Sequence, residues 1–349
     1  MVNKDFCLSS YIAFRYICQE GIDFASGLHH QHFKAITDSE RVQVADAGEM
    51  DADIKMQMEH LNGKYDSIGV LLSGGMDSAI VASYLRPGSH AYTFVTSRSG
   101  VFDADLARAR QYCERLGLTH HLIDIDREDY EQFTPKVMRR KCAPVHSIEP
   151  QIYKAAIAAK ADGVELMLVG ESADLIFGGM DQLISREWDY DDFVKRYTFL
   201  APERVLSNPD MSVYDLYERY RLPQGKIDYL RFMDEVFAIE SSGSYFNAFA
   251  EAGLAYHDPY ARMIMRHPLD LARVRGGEPK YLVRELFAMR YPGLEVPFKI
   301  PMPRPVDAIF GDWTGPTRDE FLRDIDMDSL TGNQKWQLWC AEKFLNMLD

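Results

Sequence analysis

One segment of the chain combines glycines, hydroxyl groups and an acid at a spacing suited to phosphate chemistry. Residues 73–78 read Ser-Gly-Gly-Met-Asp-Ser and follow a short apolar run. Gly74 and Gly75 allow the backbone to turn tightly and approach an anion, while Ser73 and Ser78 add hydrogen-bond donors. Asp77 would repel phosphate unless a cation lay between them, so the segment predicts nucleotide binding with Mg²⁺. The sequence has neither a GxxxxGK[ST] motif nor a post-strand GxGxxG motif, which excludes a Walker loop and a dinucleotide-binding turn.

A second segment places two acids after another apolar run. Residues 168–179 read Leu-Val-Gly-Glu-Ser-Ala-Asp-Leu-Ile-Phe-Gly-Gly. We expect Glu171 and Asp174 to face the same crevice as residues 73–78, because ligands of open α/β sheets bind at the carboxyl ends of the strands. Asp174 would then complete a magnesium site with Asp77. Glu171 would be left to orient an amine or to accept its proton.

Alternating strands and helices are predicted to position these two segments. Apolar runs predict strands at 67–72, 92–95, 122–125 and 166–169, and helical patterns predict helices at 77–85, 103–116 and 150–160. This alternation is typical of an α/β fold with a doubly wound, mostly parallel sheet.

The remainder of the chain has a different pattern. From about residue 185 the β-like runs end, and helical segments broken by prolines follow. We therefore predict an N-terminal segment at 1–62 that packs on the core, an α/β core at 63–185 and a helical C-terminal subdomain at 186–349.

Composition restricts the classes of function. The 349 residues carry a formal net charge of −14, which argues against tight, sequence-independent binding to nucleic acid or to anionic lipid. The five scattered cysteines form no CxxC pair, which fits a reducing cytoplasm better than a disulfide framework or a zinc knuckle. No apolar stretch approaches the roughly 20 residues that span a bilayer. We expect a cytoplasmic protein with neither a nucleic-acid nor a membrane partner.

The two segments resemble motifs of a known family. Residues 73–78 resemble the SGGxDS pyrophosphate-binding loop of the N-type ATP pyrophosphatases, in which ATP is cleaved between its α and β phosphates to leave AMP. Residues 168–179 resemble the GEGADELFGGY motif of the synthetase domain of asparagine synthetases. Weaker matches to the same family occur in the family's order along the chain. They lie at 10–16, 119–121, 253–270, 280–284 and 297–299, with Trp313 after the last of them. The resemblance covers nearly the whole chain and implies the N-type ATP pyrophosphatase fold, with ATP and Mg²⁺ at the site.

The resemblance also implies further site residues. Lys299 would neutralise charge on the α-phosphate and on the tetrahedral oxygen as an acyl-adenylate forms and breaks; a lysine in such surroundings is also often a surface cation. The family positions that hold adenine by backbone and apolar contacts match Leu71, Leu72, Phe94, Val95 and Gly170. These five residues also fit plain core strands.

Several positions depart from the family pattern. Ser172, Leu175 and Met180 replace Gly, an acid and Tyr, and the charged pair of the GxExRxPFLD block becomes Ala255 and His257. The second change puts aspartate in doubt as the substrate. Related β-lactam synthetases also carry an aliphatic residue near position 175, but they have Tyr where this chain has Glu171, so cyclisation is not favoured.

The sequence thus predicts a ligase that activates a carboxylate as an acyl-adenylate, releases pyrophosphate, and lets ammonia or an amine displace AMP. We expect the chain to lack the glutaminase half of the family, because Cys7 is neither the first residue nor followed by enough chain for that domain. Ammonia would then come from solution or from a separate glutaminase subunit, or an organic amine would replace it. Open alternatives are a β-lactam-synthetase-like, natural-product or glycan amide synthetase, an adenylating enzyme acting on tRNA or a nucleotide, and a nucleotide-binding scaffold without turnover. A homodimer is also left open.

Overall fold

The computed structural model describes residues 1–96, 103–297 and 305–349. The strands in these ranges are β1 (Val42–Val44), β2 (Ile68–Leu71), β3 (His90–Val95), β4 (Thr119–Asp124), β5 (Leu166–Leu168), β6 (Arg221–Leu222), β7 (Lys226–Ile227), β8 (Ala255–His257) and β9 (Met263–Met265). The α-helices are α1 (Lys4–Phe14), α2 (Ala47–Asn62), α3 (Met76–Ala82), α4 (Asp103–Leu116), α5 (Arg127–Lys141), α6 (Glu149–Ala161), α7 (Ala173–Ile176), α8 (Asp181–Ile184), α9 (Tyr190–Tyr197), α10 (Asp215–Glu218), α11 (Tyr229–Phe232), α12 (Ala238–Ala252), α13 (Leu271–Arg275), α14 (Tyr281–Arg290), α15 (Val306–Ile309) and α16 (Gly332–Leu345).

A five-stranded parallel sheet with flanking helices organises the chain. Its strand order is β4-β3-β2-β5-β8, and each neighbouring pair is parallel. The central strands β2 and β5 are buried along their whole length, as expected for apolar strands covered on both faces. The predicted α/β fold is confirmed, and the loop at 73–78 follows the carboxyl end of the middle strand.

One sequence-based expectation about the elements was wrong, and one helix was missed. β structure does not end at residue 185, because β8 pairs with β5 and forms an edge of the sheet. β8 has only three residues and an exposed Ala255 at its start, so it shows no alternating apolar pattern. Helix α5 was also not anticipated, since Pro135 lies inside it and most of its residues are polar or charged.

The C-terminal part of the chain contributes helices to two groups around the sheet. Helix α12 packs on α5 and α6, whereas α14 packs on α2 and α3. Helix α1 is buried from Phe6 to Phe14, and Gln337 on α16 donates a hydrogen bond to the carbonyl of Ile12. The division at residues 62 and 185 stays a prediction, and the segments on either side of both positions share packed surfaces.

The described residues include no helix long and apolar enough to cross a membrane.

A buried charge pair joins helices α5, α6 and α12. The Lys141 ammonium donates to Oε1 of Glu149 at 2.6 Å, and Glu149 is 0% exposed. The amide of Asn247 donates to the other carboxylate oxygen at 2.7 Å, and the backbone N–H of His146 donates at 2.8 Å. The carboxylate is therefore satisfied by three donors from different elements.

Replacing Lys141 by Met is expected to lower the free energy of unfolding by about 3 kcal/mol or more, because it leaves a buried carboxylate without its counter-charge. Urea unfolding followed by circular dichroism measures this. The matched control is Lys4→Met, which breaks a pair with Glu320 in which the lysine is 44% exposed and should cost less than about 1 kcal/mol. Equal losses of unfolding free energy in the two variants would contradict the conclusion that Lys141 is the counter-charge of a buried carboxylate.

Candidate functional site

The loop between β2 and α3 is organised by its two serines. The backbone N–H of Ser73 donates to Oγ of Ser78 at 3.0 Å, and the two hydroxyl oxygens lie 3.0 Å apart. The N–H of Gly75 donates to the Ser73 hydroxyl at 3.3 Å. These contacts close residues 73–78 into a compact turn at the carboxyl end of β2, where the sequence predicted phosphate binding.

Gly74 holds this turn against the start of α4. Its φ is +78°, and a Cβ built on it would lie 2.2 Å from the carbonyl oxygen of Asp105. Arg108 on the same helix donates from Nε to the carbonyl of Gly74 at 3.1 Å. A side chain at position 74 would therefore face both an unfavourable backbone conformation and a backbone clash.

We expect Gly74→Ala to abolish measurable ATP turnover, because the loop must shift away from Asp105 to admit the methyl group. Gly88→Ala is the matched control, since Gly88 has a similar φ of +87° but nothing within 4 Å of its Cβ position. The control should cost about 1 to 2 kcal/mol of stability from backbone strain alone and keep its activity. Turnover assays and thermal unfolding of both variants distinguish these effects, and full activity in Gly74→Ala would refute the close-contact argument.

The two acids predicted to bind Mg²⁺ are brought together around a lysine. Lys280 Nζ lies 2.6 Å from Oδ2 of Asp77 and 2.8 Å from Oδ1 of Asp174, and its side chain is 3% exposed. Burial alone would lower the pKa of Lys280, but the charges of Asp77 and Asp174 outweigh burial and raise that pKa. We call these three residues the Asp-Lys-Asp cluster.

Gly179 lets the lysine reach this position. A Cβ on Gly179 would lie 2.7 Å from Cδ of Lys280 and 2.1 Å from Oδ1 of Asp174, so only glycine leaves room for both side chains. Lys280 itself has a φ of +54°, an uncommon conformation for a residue with a side chain. Sequence analysis quoted Lys280 only within a weak family match and assigned it no role. It is 203 residues from Asp77 in the chain, and no local spacing reveals that contact.

The donor set of the cluster suits a hard cation. Asp77 and Asp174 offer carboxylate oxygens, the ligands that Mg²⁺ prefers, and a nucleotide would complete the coordination shell with phosphate oxygens. Both carboxylates contact one ammonium group, so they lie close enough to share a cation. The residues present therefore fit the predicted magnesium site.

Glu171 follows β5 and lies in a ring of hydroxyl groups. Ser242 on α12 donates to its Oε2 at 2.9 Å, and the Ser172 hydroxyl donates to the same oxygen at 3.3 Å. Burial and the charge of the neighbouring Asp258 raise the pKa of Glu171 to about 7. Its carboxyl group therefore exchanges protons near neutral pH, as a general base requires.

Asp258 was not singled out in the sequence and ties β8 to β5. Its Oδ2 accepts the N–H of Ser172 at 2.7 Å, and its Oδ1 accepts the N–H of Tyr260 at 3.0 Å. Burial raises the pKa of Asp258 to about 6 although these N–H groups oppose the shift. The Tyr260 hydroxyl donates to the carbonyl of Asp77 at 3.1 Å, which links Asp258 to the first turn of α3.

The residues expected around adenine lie near the same edge of the sheet. Leu71 is the last residue of β2 and Phe94 and Val95 are the last two of β3. A Cβ on Gly170 would lie 3.1 Å from the carbonyl carbon of Asp77, so the segment that follows β5 packs directly on residues 73–78. Leu72 is 1% exposed, and its carbonyl accepts the Thr93 hydroxyl at 2.7 Å. Adenine contacts by these residues stay predictions, and Lys299 lies outside the described residues.

The pKa of Glu171 predicts a pH dependence. If Glu171 accepts a proton during turnover, kcat/KM should rise as the pH increases through about 7, and Glu171→Gln should remove that rising limb. The raised pKa also means that the neutral carboxyl stabilises the fold at pH 4.5 and below, a contribution lost as the pH rises through 7. Urea unfolding between pH 4.5 and 8 should thus show a flatter profile in Glu171→Gln, whereas identical profiles would contradict the burial argument.

The chain belongs to the asparagine synthase family. A family model described as asparagine synthase matches residues 61–240, which is more than half of the chain and includes the loop, Glu171 and Asp174.

Among curated relatives, "Asparagine synthetase [glutamine-hydrolyzing] 3" of Arabidopsis thaliana is 32% identical over 126 residues, covering 32% of this chain and 21% of the relative. A putative asparagine synthetase of Methanocaldococcus jannaschii is 26% identical over 121 residues, covering 33% and 21%. The match thus spans about a fifth of the length of these relatives.

Solved structures with partial similarity include NMN synthetase from Francisella tularensis, with a TM-score of 0.29 and 14% identity over 64% of this chain and 99% of that one. The NH3-dependent NAD synthetase from Campylobacter jejuni has a TM-score of 0.28 and 15% identity over 60% of this chain and 93% of that one. Scores this low do not bear on the function of the chain.

Proposed function

We propose that this chain is an ATP- and Mg²⁺-dependent ligase that forms an amide bond through an acyl-adenylate. The observation that carries the proposal is the Asp-Lys-Asp cluster beside the 73–78 loop. Two carboxylates and an ammonium group at the carboxyl edge of a parallel sheet suit a polyphosphate bound with a divalent cation.

The cluster would manage the charge of the leaving pyrophosphate. Asp77 and Asp174 would hold Mg²⁺, and the bound ion would neutralise charge on the phosphate oxygens. Lys280 reduces the formal charge of the two carboxylates from −2 to −1, which lowers their repulsion of the nucleotide. The Ser73 and Ser78 hydroxyls and the turn backbone would orient the phosphate chain, so the contribution of the protein is alignment and electrostatic stabilisation.

In the first step, a substrate carboxylate oxygen attacks the α-phosphorus, and the bond between that phosphorus and the bridging oxygen to the β-phosphate breaks. Pyrophosphate leaves with the bonding electrons. In the second step, the nitrogen of ammonia or an amine attacks the acyl carbon, and the bond to AMP breaks. The proton lost by the nitrogen passes to the Glu171 carboxylate, and Lys299 is proposed to neutralise charge on the α-phosphate and the tetrahedral oxygen.

The identity of the carboxylate depends on residues that differ from the family pattern. Nε2 of His257 lies 2.6 Å from Oε1 of Gln57 on α2, and burial together with the charges of Arg262 and His60 lowers the pKa of His257 to about 4. His257 is therefore neutral at pH 7, and Ala255 carries no charge. These two positions supply no charge for a substrate, which favours a carboxylate other than aspartate.

Mass spectrometry of the purified chain with Mg²⁺-ATP, ammonium and aspartate, scoring asparagine, AMP, ADP and pyrophosphate together, tests the proposal. AMP with pyrophosphate is expected, with asparagine or, once other carboxylates and amines are supplied, with a different amide. Adding a glutaminase together with glutamine tests whether a separate subunit can supply the ammonia. ADP as the product, or nucleotide binding without turnover under every condition, would overturn the proposal.

The role of Lys280 is tested by Lys280→Met. We expect the rate of AMP formation to fall about 100-fold, because one positioned charge in the site is lost. Lys226→Met is the matched control, since Lys226 pairs with Asp189 at 2.7 Å on the surface with 46% exposure and should change the rate less than twofold. Circular dichroism verifies that both variants are folded. An unchanged rate in Lys280→Met would remove the cluster from the mechanism.

A further inference from the structure

A second group of chemically active side chains lies away from the loop. His90 begins β3, His121 lies in β4, and Asp162 follows α6 at its carboxyl end. One potential ligand atom from each of the three lies within 4.8 Å of the other two. We call these residues the His-His-Asp cluster.

The two imidazole rings meet edge to edge. Nδ1 of His90 and Nε2 of His121 are 2.8 Å apart, the ring centroids are 5.0 Å apart and the ring planes differ by 22°. Each neutral ring presents a lone pair on one nitrogen. Two such nitrogens this close must either share a hydrogen or bind a common cation.

A carboxylate completes the group and is held in place. Asp162 Oδ2 lies 3.5 Å from Nδ1 of His121 and accepts the Tyr92 hydroxyl at 2.8 Å. Partners of this kind orient ligands in metal sites, where their loss commonly weakens binding 10- to 100-fold. The His121 side chain is 28% exposed and that of Asp162 is 36% exposed, so an ion can reach the cluster from solvent.

We propose that the His-His-Asp cluster binds a divalent transition-metal ion, with Zn²⁺ as the best-suited species. Two imidazoles and one carboxylate are the borderline-soft donor set that Zn²⁺ accepts, whereas Mg²⁺ prefers oxygen ligands alone. Zinc–nitrogen bonds of about 2.0–2.1 Å in a tetrahedral site place ligand atoms about 3.3 Å apart. His90 Nδ1 and His121 Nε2 therefore need to separate by only about 0.5 Å. Asp162 now contacts the other nitrogen of His121 and must shift toward the ion, a short movement because the three ligand atoms lie within 4.8 Å of one another. Water would take the fourth position.

The site is distinct from the proposed magnesium site. His90 is the first residue of β3 and Val95 the last, and five steps of about 3.3 Å separate them by about 16 Å. The cluster therefore lies toward the amino ends of the strands, whereas the loop and the Asp-Lys-Asp cluster lie at the carboxyl ends. Zinc binding here does not depend on the proposed ligase activity.

Isothermal titration of the full chain with ZnCl₂ after removal of metals by EDTA tests the proposal. One high-affinity equivalent is expected, and Co²⁺ in its place should give the visible absorbance of a tetrahedral site. His90→Gln and His121→Gln should each weaken this binding at least tenfold, and Tyr92→Phe should weaken it about tenfold because Asp162 loses its anchor. His60→Gln, on the exposed part of α2, is the control and should leave the affinity unchanged.

Three outcomes would overturn the proposal. They are the absence of zinc binding in the unmodified chain, full-strength binding in both His90→Gln and His121→Gln, and loss of binding in Asp174→Asn with retention in the histidine variants. The last result would assign the ion to the magnesium site, and the first would mean that the two imidazoles share only a hydrogen. Circular dichroism and thermal unfolding verify that each variant is folded, and the Co²⁺ spectrum of the unmodified chain does not depend on any variant.

Discussion

The contact between the Lys280 ammonium and the carboxylates of Asp77 and Asp174 is the interaction on which the proposed site depends. Two half-buried carboxylates repel each other and also repel a polyphosphate, so the positive charge of Lys280 between them stabilises the loop at 73–78 and the segment after β5 in this arrangement. Gly179 leaves the space for the lysine stem, and Lys280 adopts an uncommon backbone conformation with a positive φ. The sheet, the loop and α14 are therefore joined by charge as well as by packing.

A second acidic pair lies close by and has a different character. Glu171 and Asp258 are surrounded by hydroxyl and backbone N–H donors rather than by a cation, and burial raises the pKa of both. One edge of the sheet thus holds two carboxylates paired with a lysine and two carboxyl groups whose pKa is raised, to about 7 for Glu171 and about 6 for Asp258. Two such environments can give the same functional group different roles, which is why we propose cation binding for one pair and proton transfer for Glu171.

Much of the architecture could be predicted from local patterns. The short apolar runs at 67–72 and 166–169 are recognisable because strands buried on both faces need apolar residues at every position. Helix α4 was predicted with the bounds that the structure has, since Gly117 ends it with a positive φ. β8 was missed because a three-residue strand that begins with an exposed alanine carries no periodic signal, and its place beside β5 depends on pairing with residues about 90 positions earlier.

The sequence by itself determined the α/β fold, the glycine-rich loop at 73–78 and the presence of Glu171, Asp77 and Asp174 near the ends of strands, because glycine spacing and strand polarity are local properties of the chain. Only the tertiary structure decided which other groups meet these residues. Lys280, Asp258 and Ser242 come from distant segments, and His90, His121 and Asp162 come together only when β3, β4 and α6 are assembled. The physical reason is that charge pairing and burial act between residues that are close in space but distant in the chain. Such contacts produce no local sequence pattern from which they could be predicted.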